Sequence, residues 1–310
     1  MTAAETRALL TIALFAAFAD GDKDDAERAE IKRIAASLHA ADVDFAALYQ
    51  DVLLKRVSVE DVVGALTTPE TRRLAYELAV CVADADGAQN DREQAFLGGL
   101  RAALELDARD AADFTAQAEA VATAPLEKST GVEPRYAATM DQAEMDRMIL
   151  NYAILNGALE LLPNSLAAMA IIPLQMKMVY RVGKAHGFEL DRGHIRDFLA
   201  TLGVGLTAQY VEQLGAKLVG GLLGKLGGGL LRGLGRQAVS SGLSFTTTYA
   251  LGHIARRYYA GGRTLTGDAL KEAFSEMLGE ARGLQSRFLP DIESRARTID
   301  VKQVISELGQ

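Results

Sequence analysis

The sequence predicts an all-α protein, and three observations support this prediction. Apolar residues recur at helical spacing, and no stretch shows the alternating β-branched pattern of a strand. Proline is scarce, with 6 residues in 310, and the composition is rich in alanine and leucine. A helix-turn-helix segment occurs twice. With 49% apolar residues, a chain of this length can bury a sizeable core, and we expect it to divide into two or three domains.

The duplicated segment defines the first third of the chain. Residues 9–38 reappear, shifted by 66 positions, as residues 75–104. The copies share apolar positions and an Asp-Gly pair, which is Asp20-Gly21 in one copy and Asp86-Gly87 in the other. Each copy is therefore predicted to form a helix, an acidic turn and a second helix.

Two interpretations account for the carboxylates of the acidic turns. In the first, they bind Ca²⁺ or Mg²⁺, because these cations prefer hard oxygen ligands. The spacing is not that of an EF-hand, whose loop has a central glycine and a final bidentate glutamate. The candidate ligands, four in each turn, are Asp20, Asp22, Asp24, Glu27, Asp84, Asp86, Asp91 and Glu93.

In the second interpretation, the same residues shape the ends of helices. Gly21 and Gly87 end the first helix of each copy, where a left-handed residue is needed. Asp24 and Asn90 cap the next helix, and the glutamate three residues later closes a capping box. Both interpretations stay open at this point, because carboxylates near a helix N-terminus are also ordinary.

The two acidic turns resemble those of the TerB-like family of tellurite-resistance proteins. The residues that carry the resemblance are Ala19-Asp20-Gly21 to Glu27 and Ala85-Asp86-Gly87 to Glu93. It covers about residues 1–120. The resemblance implies an all-helical bundle with an acidic, metal-binding surface, in proteins of stress-response or membrane-linked systems.

The domain boundaries follow from a change in composition. Residues 121–142 contain two prolines and a glycine among small polar residues, without clear periodicity. We expect a TerB-like acidic domain, a linker, a glycine-rich apolar helical domain, and a C-terminal amphipathic helix that starts at Thr266 or Asp268, with a short tail after Pro290. The predicted ranges of these four segments are 1–125, 126–144, 145–262 and 263–310.

Charge divides the chain into two unlike halves. Residues 1–130 carry 24 acidic and 13 basic side chains, a net charge of −11, whereas residues 131–310 carry 17 and 20, a net charge of +3. The acidic half argues against nucleic acid as a partner, because phosphate binding needs clustered Lys and Arg. The basic half is suited to face an anionic surface. The single cysteine, Cys81, has no partner for a disulfide within the chain and indicates a reducing compartment such as the cytoplasm.

A glycine-rich stretch marks the second half. Residues 200–236 hold 11 glycines in 37 positions. Glycine costs a helix about 1 kcal/mol relative to alanine, so close helix packing, in lipid or in protein, must compensate. Three interpretations stay open: a packed soluble domain, a peripheral or re-entrant membrane domain, and a surface for a protein partner or a second copy in a homo-oligomer. The candidate residues for membrane contact or self-association are Gly220, Gly224, Gly228, Gly229, Gly233, Lys217, Lys225, Arg232 and Arg236.

A second family resemblance covers about residues 145–262. The residues that carry it are Ala153-Ile154-Leu155-Asn156, Leu162-Pro163, Pro173 to Val179, Gly187-Phe188 and Thr246 to Gly252. They resemble domain-of-unknown-function family 697, although Asn164-Ser165-Leu166-Ala167 stands where a small residue and an acid are expected. The resemblance implies association with the inner membrane or a membrane protein, and a GTPase partner that is fused or encoded nearby.

No catalytic motif stands out in the sequence. The four histidines include no HExxH, and GxSxG and CxxC are absent. Gly224-Lys225 is followed by Leu226 rather than Ser or Thr, so this segment is not a P-loop. We therefore expect a non-enzymatic, membrane-associated stress-response or scaffold protein, located in the cytoplasm or peripherally at the inner membrane. The alternative is a soluble regulatory adaptor for a GTPase partner.

Overall fold

A computed structural model describes residues 2–19, 21, 39–40, 43–87, 89–126, 140–162, 165–204, 207–208, 211, 215, 218 and 242–308. Within these residues the secondary structure is helical, apart from a short antiparallel pairing of β1 (His39–Ala40) with β2 (Val43–Asp44). In this pairing His39 lies opposite Asp44. The prediction of an all-α protein is confirmed.

The described helices are numbered along the chain. Those before residue 124 are α1 (Ala3–Ala17), α2 (Phe45–Leu53), α3 (Val59–Val63), α4 (Pro69–Ala83), α5 (Asp91–Ala103) and α6 (Ala108–Ala122). Those after it are α7 (Gln142–Glu160), α8 (Ser165–Met169), α9 (Ile171–Ala185), α10 (Arg192–Thr201), α11 (Leu243–Ala260), α12 (Gly267–Thr298) and α13 (Val301–Leu308). A 3₁₀ turn at Asp84–Asp86 follows α4.

The described residues divide into two compact units. The first contains α1 to α6 and the short helix α8, and the second contains α7 and α9 to α13. This division differs from the four predicted ranges. Residues 165–169 lie in the first unit rather than with their sequence neighbours, and the C-terminal helices lie in the same unit as α7. Of the predicted linker 126–144, residues 127–139 lie outside the described residues, and α7 already begins at Gln142.

The first helices of the two copies, α1 and α4, pack against each other in the first unit. Both helices have 15 residues, and their first residues, Ala3 and Pro69, are 66 positions apart, as in the sequence repeat. Leu9, Ile12 and Leu78 are completely buried in this unit. Burying each such side chain stabilises the fold by about 1.5–3 kcal/mol. The predicted helices are confirmed for α1, α4 and α5, whereas the second helix of the first copy lies outside the described residues.

The repeat also extends further towards the N-terminus than the sequence comparison indicated. Thr2 caps α1 and Thr68 caps α4, and these residues are again 66 positions apart. Each closes a capping box with the third residue of its helix, Glu5 in one copy and Thr71 in the other. A Ser or Thr cap contributes about 1 kcal/mol relative to alanine. Both copies therefore begin with the same local structure.

In the second unit, α11 packs against α7, α9 and α12. Two glycines allow these helices to approach closely. A Cβ atom on Gly157 would lie 3.2 Å from Phe245, and a Cβ atom on Gly252 would lie 2.6 Å from Ile149. Since real Cβ atoms do not come as close as 2.6 Å to another heavy atom, Gly252 sets the spacing between α7 and α11.

The C-terminal helix begins where the sequence predicts and ends later. The hydroxyl of Thr266 accepts a hydrogen bond from the backbone N–H of Ala269 at 3.4 Å and caps α12. The helix continues through Pro290 to Thr298, so the prediction that the tail starts after the proline is wrong. A proline inside a helix removes one backbone hydrogen bond. Packing of α12 on α7 and α11 compensates for this loss.

Candidate functional site

The turns that follow the first helix of each copy are built around glycines. The backbone φ angle is +122° at Gly87 and +73° at Gly21, the equivalent residue of the first copy. Both values lie in the region that favours glycine, as the sequence predicted for the end of the first helix. The backbone conformation of each turn therefore explains the glycine of its Asp-Gly pair.

The N-terminus of α5 confirms the capping prediction for the second copy. The side-chain oxygen of Asn90 accepts hydrogen bonds from the backbone N–H groups of Arg92 at 2.9 Å and Glu93 at 3.0 Å. The carboxylate of Glu93 in turn accepts a hydrogen bond from the backbone N–H of Asn90 at 2.9 Å. Glu93 is buried, and its carboxylate caps the N-terminus of α5.

The other candidate metal ligands of this turn have separate environments. Asp84 is buried, and one of its carboxylate oxygens accepts a hydrogen bond from the side-chain amide of Gln89 at 2.9 Å. Asp91 is the exposed first residue of α5. Within the described part of the chain, no three His, Cys, Asp or Glu residues are placed to hold a metal ion together. The candidates outside the described residues are Asp20, Asp22, Asp24, Glu27 and the side chain of Asp86.

A cation of the second copy lies close to Gly21 of the first copy. A Cβ atom on Gly21 would lie 3.0 Å from a terminal nitrogen of the Arg92 guanidinium. Arg92 is the second residue of α5, so the start of α5 lies close to Gly21 of the first copy. The fold therefore places a positive charge beside this glycine.

The glycines and cations predicted for membrane contact or self-association lie outside the described residues. They are Gly220, Gly224, Gly228, Gly229, Gly233, Lys217, Lys225, Arg232 and Arg236. Their role stays a prediction.

Three residues of the family-697 resemblance meet in the core of the second unit. Asn156 of α7 and Gln175 of α9 each donate a hydrogen bond at 3.0 Å to the hydroxyl of Thr248 on α11. All three residues are 0% exposed. Close by in sequence, the carboxylate of Glu160 accepts a hydrogen bond from the backbone N–H of Ser244 at 2.7 Å. This buried polar network fixes the register of the three helices, because a shifted helix would leave buried polar groups unpaired.

A second feature of this unit is a cleft of about 600 Å³ lined by residues of α7, α9, α12 and α13. A smaller cavity of about 370 Å³ shares Asn151, Tyr152 and Arg181 with it. It adds Arg147, Glu144 and two methionines, Met140 and Met148. We call the two cavities together the basic cleft. The remaining polar residues of the larger cavity are Lys177, Arg295 and Glu307, and its apolar residues are Ile154, Leu155, Leu174, Val304 and Leu308.

The cations of the basic cleft are available to a ligand. Within the described part of the chain, none of its four cations, Arg147, Lys177, Arg181 and Arg295, forms an ion pair. The guanidinium of Arg181 donates a hydrogen bond to the hydroxyl of Tyr152 at 3.5 Å, and the ammonium of Lys177 donates one to a backbone carbonyl of α13 at 3.4 Å. Both contacts are long and have neutral acceptors, so they leave the positive charges unneutralised.

The four cations of the basic cleft were not predicted as a site from the sequence. Lys177 and Arg181 are four residues apart on α9, and Arg147 and Asn151 are four residues apart on α7. Residues at this spacing share one face of a helix, and this shared face could have been recognised from the sequence. That the two faces line the same cleft follows only from the packing of α7 and α9.

Two partly buried histidines add no positive charge to this unit at neutral pH. Burial lowers the pKa of His186 and the pKa of His253, and the nearby guanidinium of Arg256 lowers both further. Both imidazoles are therefore neutral at pH 7. The Arg256 guanidinium itself pairs with the carboxylate of Asp146.

Comparison with known protein families assigns no activity to the chain. Residues 2–118 match the model of a protein family of unknown function, DUF533. This segment includes both copies of the repeat. No curated protein and no solved structure matches the chain. The resemblances to the TerB-like family and to family 697 stay predictions.

Among the described residues, no helix combines the length and the apolar character that crossing a membrane requires. The 32 residues of α12, for example, include acidic and basic side chains along much of the helix.

Proposed function

We propose that the protein is a non-enzymatic helical scaffold whose second unit binds an anionic membrane surface, on the cytoplasmic side of an inner membrane. The observation that carries this proposal is the basic cleft, where four cations have no ion-pair partner among the described residues. The second unit carries 17 acidic and 19 basic side chains, a net charge of +2, which has the sign that this role requires. The resemblance to family 697 supports the same assignment.

The expected attraction is moderate. A Lys or Arg near an anionic leaflet contributes about 1 kcal/mol. The four cations of the basic cleft are opposed by two carboxylates, those of Glu144 and Glu307. The attraction is therefore about 2–4 kcal/mol, which supports reversible association. Since salt screens exposed charges beyond about 8 Å at physiological ionic strength, binding should weaken as salt is raised.

The first unit is, in this proposal, an acidic docking or sensing module of a stress-response system. The first unit carries a net charge of −10, so an anionic surface repels it, and a cationic partner or a divalent cation is favoured. Binding of Ca²⁺ or Mg²⁺ by the acidic turns belongs to the proposal. Calorimetric titration of the full chain with each cation tests it, and absence of heat at millimolar metal would contradict metal binding.

Flotation of the purified full chain with lipid vesicles tests the membrane proposal. Vesicles that contain phosphatidylglycerol are compared with vesicles of phosphatidylcholine alone, at low and at high salt. We expect the protein to float with the anionic vesicles at low salt and to be released at high salt. If it does not float with anionic vesicles at low salt, the proposal is wrong, and the soluble adaptor for a GTPase partner becomes the better hypothesis.

A pair of double variants shows whether the basic cleft is responsible. Lys177→Gln with Arg181→Gln removes two cations of the cleft, whereas Lys271→Gln with Arg282→Gln removes two exposed cations of α12 that do not line it. Both variants lose the same net charge. We expect the first to reduce flotation strongly and the second to leave it almost unchanged, because a local site and not the total charge makes the contact.

A further inference from the structure

We propose that the basic cleft holds the phosphate head group of one anionic phospholipid at its charged end and the beginning of an acyl chain at its apolar end. This inference rests on the proposed membrane function and names the lipid site within it. One specific lipid molecule binds in the cavity, in contrast to a diffuse attraction between a basic face and a charged surface.

The charged end of the cleft is formed by two helices. Arg181 of α9 lines both cavities, Lys177 lies one turn before it, and Arg147 of α7 lines the smaller cavity with Arg181. Guanidinium groups bind phosphate oxygens through two parallel hydrogen bonds, and an ammonium adds a point charge. Because these three cations have no ion-pair partner among the described residues, an incoming phosphate does not have to displace a carboxylate.

The apolar end lies further along the same helices. Leu174 precedes Arg181 by seven residues on α9, and Leu155 follows Arg147 by eight residues on α7. At a rise of 1.5 Å per residue, each apolar residue is about 10–12 Å along its helix from the cation. Along α7 and α9 the lining of the cleft thus changes from charged to apolar. This polarity matches a ligand with an anionic head and an apolar chain.

The size and the other walls of the cleft fit the same ligand. A cavity of about 600 Å³ is within the usual range of small-molecule sites, roughly 300–1,000 Å³. The short helix α13 contributes Val304 and Leu308 to the apolar lining. The carboxylate of Glu307 accepts a hydrogen bond from the side-chain amide of Gln303 at 2.8 Å on the same helix, and among the described residues it forms no ion pair with a cation of the cleft. A free phosphate ion would leave the apolar end unfilled, and we therefore assign the site to a lipid.

The test uses dihexanoyl phosphatidylglycerol, which is water-soluble, below its micelle concentration. It is titrated calorimetrically into the full chain, and inorganic phosphate and dihexanoyl phosphatidylcholine are titrated in parallel. We expect saturable binding of one phosphatidylglycerol per chain, with both other ligands at least about tenfold weaker, since one lacks the chain and the other lacks the net charge. Equal affinity for inorganic phosphate would overturn the lipid assignment.

Variants then locate the binding site. Lys177→Gln with Arg181→Gln should weaken phosphatidylglycerol binding at least about tenfold, because charged hydrogen bonds are lost. Leu155→Ala should weaken it by about tenfold and leave the weak binding of inorganic phosphate unchanged. Lys271→Gln with Arg282→Gln serves as the control of equal charge. Thermal unfolding of each variant shows that the fold is intact. Unchanged lipid affinity in the Lys177 and Arg181 variant would overturn the proposal.

The two proposals fail in distinguishable ways. If the full chain floats with anionic vesicles but does not bind the short-chain lipid, the membrane function stands and the specific lipid site is wrong. If the short-chain lipid binds with the expected pattern of variants but the protein does not float, the lipid site stands and the membrane function is wrong.

Discussion

Replacing Thr248 by valine should destabilise the protein strongly, although the two side chains have nearly the same shape. The hydroxyl of Thr248 accepts hydrogen bonds from Asn156 and from Gln175, both at 3.0 Å, and all three residues are fully buried. Valine removes the shared acceptor, and each of the two buried amides loses one hydrogen bond. Removing the partner of a buried donor costs about 1–3 kcal/mol.

The magnitude follows from the remaining contacts. The amide of Asn156 keeps a long hydrogen bond of 3.5 Å to the backbone carbonyl of Ile171, which offsets part of its loss. Two such losses add up to about 2–6 kcal/mol. Because part of the loss is offset, we expect the free energy of unfolding to fall by about 2–4 kcal/mol. Urea unfolding followed by circular dichroism measures this value. The midpoint should shift without a change in the slope of the transition.

The neighbouring threonine provides the matched control. Thr247 makes no side-chain hydrogen bond with the described residues and is almost buried, so Thr247→Val should change the free energy of unfolding by less than about 1 kcal/mol. Thr248→Ser keeps the hydroxyl and should lose only the contribution of one methyl group, about 1 kcal/mol. If Thr248→Val and Thr247→Val had equal effects, the polar network would contribute nothing to stability, and the argument would be refuted.

Three further predictions concern the helix ends and the close packing of the second unit. Asn90→Ala should lower the free energy of unfolding by about 0.5–2 kcal/mol through loss of the cap of α5, and Asn90→Asp should retain most of it, as chemical denaturation will show. The backbone N–H of Thr2 donates to Glu5 and lowers the pKa of that carboxyl below its ordinary 4.5. Because the pKa of Glu5 is lower in the folded state, its ionised carboxylate stabilises the fold above pH 4.5. This contribution disappears as the pH falls through the folded-state pKa. Glu5→Gln should therefore make the melting temperature depend less on pH between pH 4.5 and the folded-state pKa. Gly252→Ala places a Cβ atom 2.6 Å from an isoleucine of α7 and should lower the free energy of unfolding by about 1–3 kcal/mol. The Cβ atom of Gly279→Ala on α12 meets no atom within 4 Å, so this variant should stabilise the protein by up to about 1 kcal/mol. A higher melting temperature for Gly252→Ala than for Gly279→Ala would contradict the packing described for α11.

Local features of the fold were predictable from the sequence because their partners are close along the chain. The capping box of Asn90 and Glu93 spans three residues, and the turn glycine Gly87 is fixed by the backbone angle that it must adopt. The end of α12 was not predictable in the same way. A proline at position 290 removes one local hydrogen bond, but contacts with two other helices decide that the helix continues.

The candidate functional sites also differ in whether their residues are close along the chain. The sequence singled out the acidic turns, where the side chains are neighbours in the chain. It did not single out the basic cleft, because Arg147 and Arg181 belong to different helices, and only the packing of α7 on α9 places them around one cavity.

The sequence by itself determined the all-α class, the helices α1, α4 and α5 of the duplicated segment, the caps of α5 and α12 and the uneven distribution of charge. These depend on periodicity, backbone preference and composition, which act over a few residues or over the chain as a whole. The tertiary structure alone decided the contact of Asn156 and Gln175 with Thr248, which join residues 92 and 73 positions apart, and the meeting of cations and apolar side chains in one cleft. Helix packing brings such residues together, and no local preference of the chain specifies which faces will meet.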